Sequence, residues 1–232
     1  MKRIILLTSL AFIISCTSKN ENAAIQELTN VYGGNITISN GASISTNQGR
    51  SKYKKITVNN SQAVEEALIE PELLASRHAI TIFSKLEPLE RDFDKLEVEL
   101  NKSDGKKYTY EITRNKLEQI EKELQFVNNW IDKIKNNKIE EAYKYLKTPS
   151  EILPQFDQFK NTTEKLIEKF GPIESIWFDG YGIEQVNDST FQGEMHQFIY
   201  DFKTKKRSYA MHIVVNPADL ELKIYALSLD FD

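Results

Sequence analysis

Residues 191–231 read FQGEMHQFIYDFKTKKRSYAMHIVVNPADLELKIYALSLDF, and their period decides how the second half of the chain folds. Glu194, His196, Phe198, Tyr200 and Phe202 recur at every second residue, as side chains on one face of a strand do. The basic run Lys203-Thr204-Lys205-Lys206-Arg207 breaks that pattern. It resumes from Tyr209 to Val215 and breaks again at Asn216-Pro217-Ala218-Asp219. Connections this short join antiparallel neighbours. The last segment, Leu220 to Phe231, changes phase: Leu220, Leu222, Ile224 and Ala226 share one parity, while Leu227, Leu229 and Phe231 share the other. A one-residue slip turns a whole set of side chains over, so a β-bulge or sharp bend near Tyr225-Ala226 is expected.

Upstream, a strand from Ile173 to Phe178 is expected to end in a turn at Asp179-Gly180, and Gly171-Pro172 closes a helix before it. That helix runs from about Pro154 to Lys169, with Phe156, Phe159, Leu166, Ile167 and Phe170 apolar. A short helix precedes it, holding Ile139, Ala142, Tyr143 and Leu146 and stopping before Pro149. Arg114 to Lys138 reads as one long helix. Its stripe is Leu117, Ile120, Leu124, Val127, Ile131 and Ile134, with Trp130 adding bulk, and Glu118, Glu121, Lys122 and Glu123 form a solvated flank.

The first half divides by the same signals. Asn30 to Asn60 is rich in turn formers around short alternating stretches (Val31, Ile36, Ile38; Tyr53, Ile56, Val58), with turns at Gly33-Gly34, Asn40-Gly41 and Gln48-Gly49. Ser61 has the chemistry of a helix N-cap, and beyond Pro71 the residues Leu74, His78, Ile82 and Leu86 fall four apart in a helix ending near Pro88. Leu96, Val98 and Leu100, then Tyr108, Tyr110 and Ile112, flank Ser103-Asp104-Gly105 as a hairpin. The expectation is an α+β chain: a small α+β domain over 29–114, then helices and a curved antiparallel sheet over 115–232.

Three helices, a Gly-Pro break and a bent meander make the second unit similar to the NTF2-like, cystatin-like α+β fold. The likeness is carried by Phe126 to Leu146, Phe170-Gly171-Pro172-Ile173, and Met195 to Phe231. It implies a sheet wrapped around helices with a cone-shaped cavity, catalytic in some members and only binding or packing in many envelope-anchored ones.

The N-terminus addresses the chain. Met1-Lys2-Arg3 and the apolar run Ile4 to Ile14 form a basic region and a hydrophobic core too short for a permanent span, as in a signal peptide over 1–15. Ile13-Ile14-Ser15-Cys16 resembles the lipobox of bacterial lipoproteins. That resemblance implies cleavage before Cys16, diacylation of its thiol and often acylation of the new amino group, palmitate among the acyl chains. Cys16 is the only cysteine, and an exported chain with one bare thiol is a liability that a thioether-linked lipid removes. The expected location is the cell envelope, anchored in the outer or inner membrane, with 16–28 as lipidated cysteine and flexible tether. Lys19 and Glu21 are loosely similar to the surface-export signal of Bacteroidetes lipoproteins, and Asp188-Ser189-Thr190 resembles their O-glycosylation acceptor.

Signatures of chemistry are few. A net charge of −4 gives no basic footprint for nucleic acid. No phosphate loop, nucleophile elbow or His-Glu-x-x-His stands in the sequence, so no cofactor is implied. His78, His196 and His212 lack metal-ligand spacing. Glu194, His196 and Tyr200 share a strand face and form a weak proton-transfer set, with His212 joining across the ladder. On the alternative reading the aromatics are core and Glu194 and His196 are solvated. Trp177, Phe178 and Tyr181 are either a binding patch or core packing, and Lys203 to Arg207 either a phosphate contact or a solubilising hairpin tip. A non-enzymatic, lipid-anchored binding or assembly module with an envelope protein or glycan as partner is the leading expectation. An acid–base enzyme using the cavity is the alternative.

Overall fold

The computed structural model describes residues 18–45, 49–66, 69–148, 153–187 and 192–231, so the lipobox at Ile13 to Cys16 and the sequence Asp188-Ser189-Thr190 lie outside the described residues. The fold is α+β, as the periodicities predict, with two four-stranded sheets.

The described chain begins with a helix cap. Ser18 Oγ accepts from the Glu21 N–H at 3.0 Å, and a Glu21 carboxylate oxygen accepts from the Ser18 N–H at 2.8 Å, a reciprocal pair that satisfies two orphan donors. It starts α1 (Lys19–Tyr32). Ala24, Leu28 and Tyr32, four apart, are buried, and the buried Glu21 carboxylate meets the buried Lys54 ammonium at 2.5 Å. The flexible tether expected over 16–28 is therefore corrected from Lys19 onward. Val31 belongs to this helix and not to a strand.

Strands β1 (Asn35–Ser45) and β2 (Gly49–Asn59) pair antiparallel. Asn40-Gly41 lies inside β1 instead of turning: Gly41 sits opposite Tyr53, and a Cβ at Gly41 would overlap the Tyr53 ring. Ser61 precedes α2 (Gln62–Glu65), yet its hydroxyl donates to the Tyr32 carbonyl at 2.8 Å and caps nothing. Next come α3 (Pro71–Lys85), a single 3-10 turn at Pro88–Arg91, and β3 (Lys95–Asn101). β3 pairs with β2 in parallel, which needs a crossover; α3 supplies it. The expected hairpin is present, with β4 (Lys107–Thr113) antiparallel to β3. Leu96, Val98 and Leu100 are fully buried, while the outward face of the sheet carries ion pairs such as Lys55 with Glu97 and Glu99, each at 2.8 Å.

Thr113 caps α4 (Arg114–Lys135), which is followed by α5 (Ile139–Tyr143) and α6 (Phe156–Phe170). A second sheet follows in the order β5 (Ile173–Asn187), β6 (Gln192–Thr204), β7 (Ser208–Val215), β8 (Ile224–Phe231), every pair antiparallel. The phase change in the last strand is a bulge. Val215 pairs with Ile224 and Val214 with Ala226, leaving Tyr225 as the extra residue. Ile224, Leu227 and Leu229 consequently stand opposite Val215, Ile213 and Met211 on one face. Leu220 is fully exposed and precedes the strand, which starts only at Ile224.

Asp179-Gly180 is likewise a bulge, not a turn. Phe178 pairs with Tyr200 and Gly180 with Ile199, so β5 runs on through Asp179 to Asn187. Gly180, at φ 152°, faces α3 so closely that a Cβ would lie 2.7 Å from Leu73 Cδ1 and from the Leu73 carbonyl oxygen. The Ser76 hydroxyl also accepts from the Tyr181 N–H at 3.1 Å. The two halves thus meet along α3 and β5, and one continuous cluster of buried apolar side chains runs through both.

Candidate functional site

Positions 120, 123 and 127 of α4 fall on one helix face at spacings of three and four. Two are Ile120 and Val127; the third is Glu123, buried at 1% exposure among them. Its solvated-flank assignment is therefore corrected, and the acidic residue on an apolar stripe was the signal that could have revealed it. Glu123 Oε2 meets His196 Nδ1 from β6, and the imidazole is itself fully buried. The other ring nitrogen, Nε2, lies 3.0 Å from Glu194 Oε1 and 2.9 Å from the Lys116 Nζ, and Lys116 also pairs with Glu194. A proton on Nδ1, held by the Glu123 carboxylate, leaves Nε2 to accept from the Lys116 ammonium; a second proton on the ring would instead be donated to Glu194. The Lys116 ammonium, and secondarily His196, holds the Glu194 carboxyl below its usual range. The two carboxylates sit on opposite ring nitrogens and do not converge on a point. Among the described residues no group of three or more His, Cys, Asp or Glu is arranged to hold a metal ion.

Of the four residues singled out in sequence, the structure brings Glu194 and His196 together and leaves the other two elsewhere. Tyr200 donates its phenol proton to Asn128 Oδ1 at 2.8 Å, and burial pushes its pKa up. His212 pairs with Ile199 in the ladder, one residue out of phase with His196 and Phe198, so it occupies the opposite face of the sheet, 3.1 Å from Asp230. The expectation that it joins His196 is corrected by that parity. His78 is also fully buried. Its Nδ1 donates to the Leu74 carbonyl at 2.7 Å, and burial lowers its pKa to about 4, keeping it neutral.

A cavity of about 200 Å³ lies between α6, α4 and the second sheet. α6 lines it with Phe159, Thr163, Leu166 and Ile167, and α4 with Trp130 and Ile134. Met211, Leu227 and Leu229 line it from β7 and β8. Among the described residues no carboxylate, amine, guanidinium or imidazole lines the wall. Two of its buried hydroxyls are engaged: Thr163 donates to the Phe159 carbonyl at 2.9 Å and Thr204 to the Arg207 carbonyl at 2.7 Å. The Glu123–His196 pair is not among the lining residues. Lys116 reaches a separate cleft of about 410 Å³ between the halves, shared with Ser76, Tyr110 and Tyr181.

No protein-family model matches this chain, and no curated protein matches it. Solved structures resemble part of it. Bd1075 of Bdellovibrio bacteriovorus is 14% identical at a TM-score of 0.38, over 54% of this chain and 46% of that one. The helical cell shape determining protein Pgp2 of Campylobacter jejuni is 17% identical at a TM-score of 0.35, over 63% of this chain and 50% of that one. The chain spans about half the length of either structure. Among the described residues no helix is long and apolar enough to cross a membrane.

The remaining sequence candidates resolve by burial. Trp177 is 51% exposed, but Tyr181 is buried and Phe178 packs on Tyr200 at 5.2 Å between centroids, so the three form no common patch. In the basic run, Lys206 donates its backbone N–H to the Phe170 carbonyl at 3.3 Å and its ammonium to the Lys169 carbonyl at 3.1 Å. The hairpin tip thereby satisfies the last carbonyls of α6 with a cation, as the helix dipole favours. A second cluster has no counterpart in the sequence reading. The Arg77 guanidinium lies between the Tyr32 and Phe178 rings, 5.5 and 5.6 Å from their centroids, and 3.7 Å from Asp179. Burial, reinforced by neighbouring Asp201, raises the Asp179 carboxyl to about 7, and Arg77 offsets only part of this.

Proposed function

We propose that this protein is a lipid-anchored, non-enzymatic binding module of the bacterial cell envelope. Acyl chains on Cys16 hold it to the membrane, and a small apolar ligand occupies the cavity between α6 and the second sheet. The observation that carries the binding reading is the chemistry of that wall: mostly apolar side chains, two engaged threonine hydroxyls and, among the described residues, no charged group. An apolar cavity of about 150 Å³ is known to stay dry and take benzene, so about 200 Å³ suits a ring with a short substituent. General acid–base catalysis requires a titrating group within hydrogen-bond reach of the substrate. The buried imidazole of His196 is instead enclosed by Glu123, Glu194 and Lys116, away from the cavity. The NTF2-like resemblance supports the same reading, because a helix-lined cavity against a curved sheet is what it implies. The lipobox resemblance of Ile13-Ile14-Ser15-Cys16 supports the anchor, and two or three acyl chains suffice for stable attachment where one does not.

Two measurements test the parts separately. Cells fed labelled palmitate should label the wild-type protein, while Cys16→Ser should accumulate as an unlabelled precursor; equal labelling of both removes the anchor. Titration of the body with cumene should give saturable shifts of the Met211, Leu227 and Leu229 methyl resonances. Methyls that stay still at saturating cumene would end the binding reading.

A further inference from the structure

A second pocket, of about 270 Å³, lies between α6 and the tip of the β6–β7 hairpin, lined by Thr162, Lys165, Leu166, Lys169, Phe170 and Arg207. Thr162 and Leu166 line the apolar cavity as well. The two spaces therefore adjoin across one exposed and one half-buried side chain. Lys165, Lys169 and Arg207 make the second pocket cationic, and among the described residues no carboxylate lines it. We propose that the cavity ligand is a small anionic amphiphile whose apolar body fills the space between α6 and the sheet and whose anionic head lies in the adjoining pocket among Lys165, Lys169 and Arg207. This rests on the binding reading above and adds the chemical class of the ligand.

The two walls ask for the two ends of such a molecule. Among the described residues the cavity offers no cation to balance an anion, and an unpaired charge is strongly disfavoured in apolar surroundings. The head group therefore belongs outside it, where the cations stand. Lys165 and Lys169 lie one turn apart on α6 and are both exposed. Among the described residues neither pairs with a carboxylate, and the Lys169 ammonium lies 5.0 Å from the centroid of the Phe170 ring. Arg207 brings a planar fork of donors that matches the two oxygens of a carboxylate. The C-terminal end of a helix disfavours an anion, but at α6 that end is already occupied. Lys206 donates its backbone N–H to the Phe170 carbonyl and its ammonium to the Lys169 carbonyl. The ammonium groups of Lys165 and Lys169 are left for a ligand.

The test compares 4-phenylbutyrate with 4-phenylbutyramide, two probes of nearly the same shape that differ in the charge of the head. Both should move the Met211, Leu227 and Leu229 methyl resonances, because the ring enters the cavity in either case. The acid is expected to bind about three- to tenfold more tightly than the amide, the worth of one or two exposed ion pairs. The gap should close in 1 M salt, where charges are screened beyond about 3 Å. Lys165→Gln combined with Lys169→Gln should bring the preference close to parity while the amide binds as before. If this variant fails to fold, the salt dependence in the wild type decides alone. Equal binding of the two probes, a preference that survives 1 M salt, or one unchanged in the folded double variant overturns the anionic assignment and leaves the binding reading standing. Methyls that neither probe moves remove both.

Discussion

Glu123 and His196, 73 residues apart in the chain, bury a carboxylate against an imidazole between α4 and β6. Neither side chain is more than 2% exposed. Taking a carboxylate out of water is expensive, and the imidazole Nδ1–H is its only hydrogen-bond partner in the described structure, since Glu123 Oε1 has none. Removing one partner of such a pair is costlier than replacing both. Glu123→Ala is expected to lose about 3–5 kcal/mol in urea denaturation, and Glu123→Leu combined with His196→Phe to lose much less than the two single changes together. Additive losses would mean that the two residues do not act as a unit.

Asp179 predicts an opposite pH trend from that of a paired surface carboxylate. Its carboxyl titrates at about 7 in the folded protein against an ordinary value of 3.8, so between these values the native state holds a proton that the unfolded chain has released. Its contribution to stability is fully present below about pH 4 and is lost as pH rises through 7. The neighbours that set it are Asp201 on β6, which raises it, and Arg77 on α3, which lowers it. Asp179→Asn should flatten the melting temperature between pH 4 and pH 7, where a chain of this length moves by about 2–4 °C per kcal/mol. An unchanged slope in the variant would remove Asp179 as the titrating group.

Leu28 tests how the N-terminal helix was missed. The residues after Cys16 are polar, and that composition reads as a tether. The helix is specified instead by Ser18 with Glu21 and by the four-residue spacing of Ala24, Leu28 and Tyr32, a pattern too sparse to stand out beside Asn20, Asn22 and Glu27. Leu28 is 1% exposed, so Leu28→Ala is expected to cost about 2–5 kcal/mol. In a flexible tether the same change would cost nothing measurable by chemical denaturation.

Strong local period was legible, and contacts between distant segments were not. The hairpin at Ser103-Asp104-Gly105 follows from alternation on either side of an Asp-Gly turn, and the bulge at Tyr225 from the change of parity. The parallel pairing of β2 with β3 does not, because alternation carries no strand direction. Asp179-Gly180 looks like a turn in sequence because Gly is usually read that way, whereas here the glycine admits α3. In the site, Glu194 and His196 were visible as one strand face. Lys116 and Glu123 were not, since only the docking of α4 on β6 brings them there.

Gly180 should not tolerate a side chain. At φ 152° an alanine is strained, and its Cβ would meet Leu73 at 2.7 Å. Gly180→Ala is expected to cost about 1–3 kcal/mol, with loss of near-UV ellipticity from the α3–β5 junction. Adding Leu73→Ala should recover only part, because the Leu73 carbonyl oxygen stands as close as its side chain. Full recovery in the double variant would mean that the backbone approach is not what the glycine serves.

The cavity makes a prediction that separates an open binding space from a packing fault. An empty apolar volume lowers stability by about 24 cal/mol per Å³, so filling part of it with side-chain atoms should not destabilise the protein as overpacking a full core does. Leu166 lines the cavity from α6 and is only half-buried, which leaves its side chain room to extend inward. Leu166→Phe is expected to keep or raise the melting temperature while weakening cumene binding by about tenfold, the equivalent of about 1.4 kcal/mol. A variant that loses stability but binds cumene normally would show that the ring cannot enter the space and that the probe sits elsewhere. A variant that gains stability and loses the probe places both in the same volume.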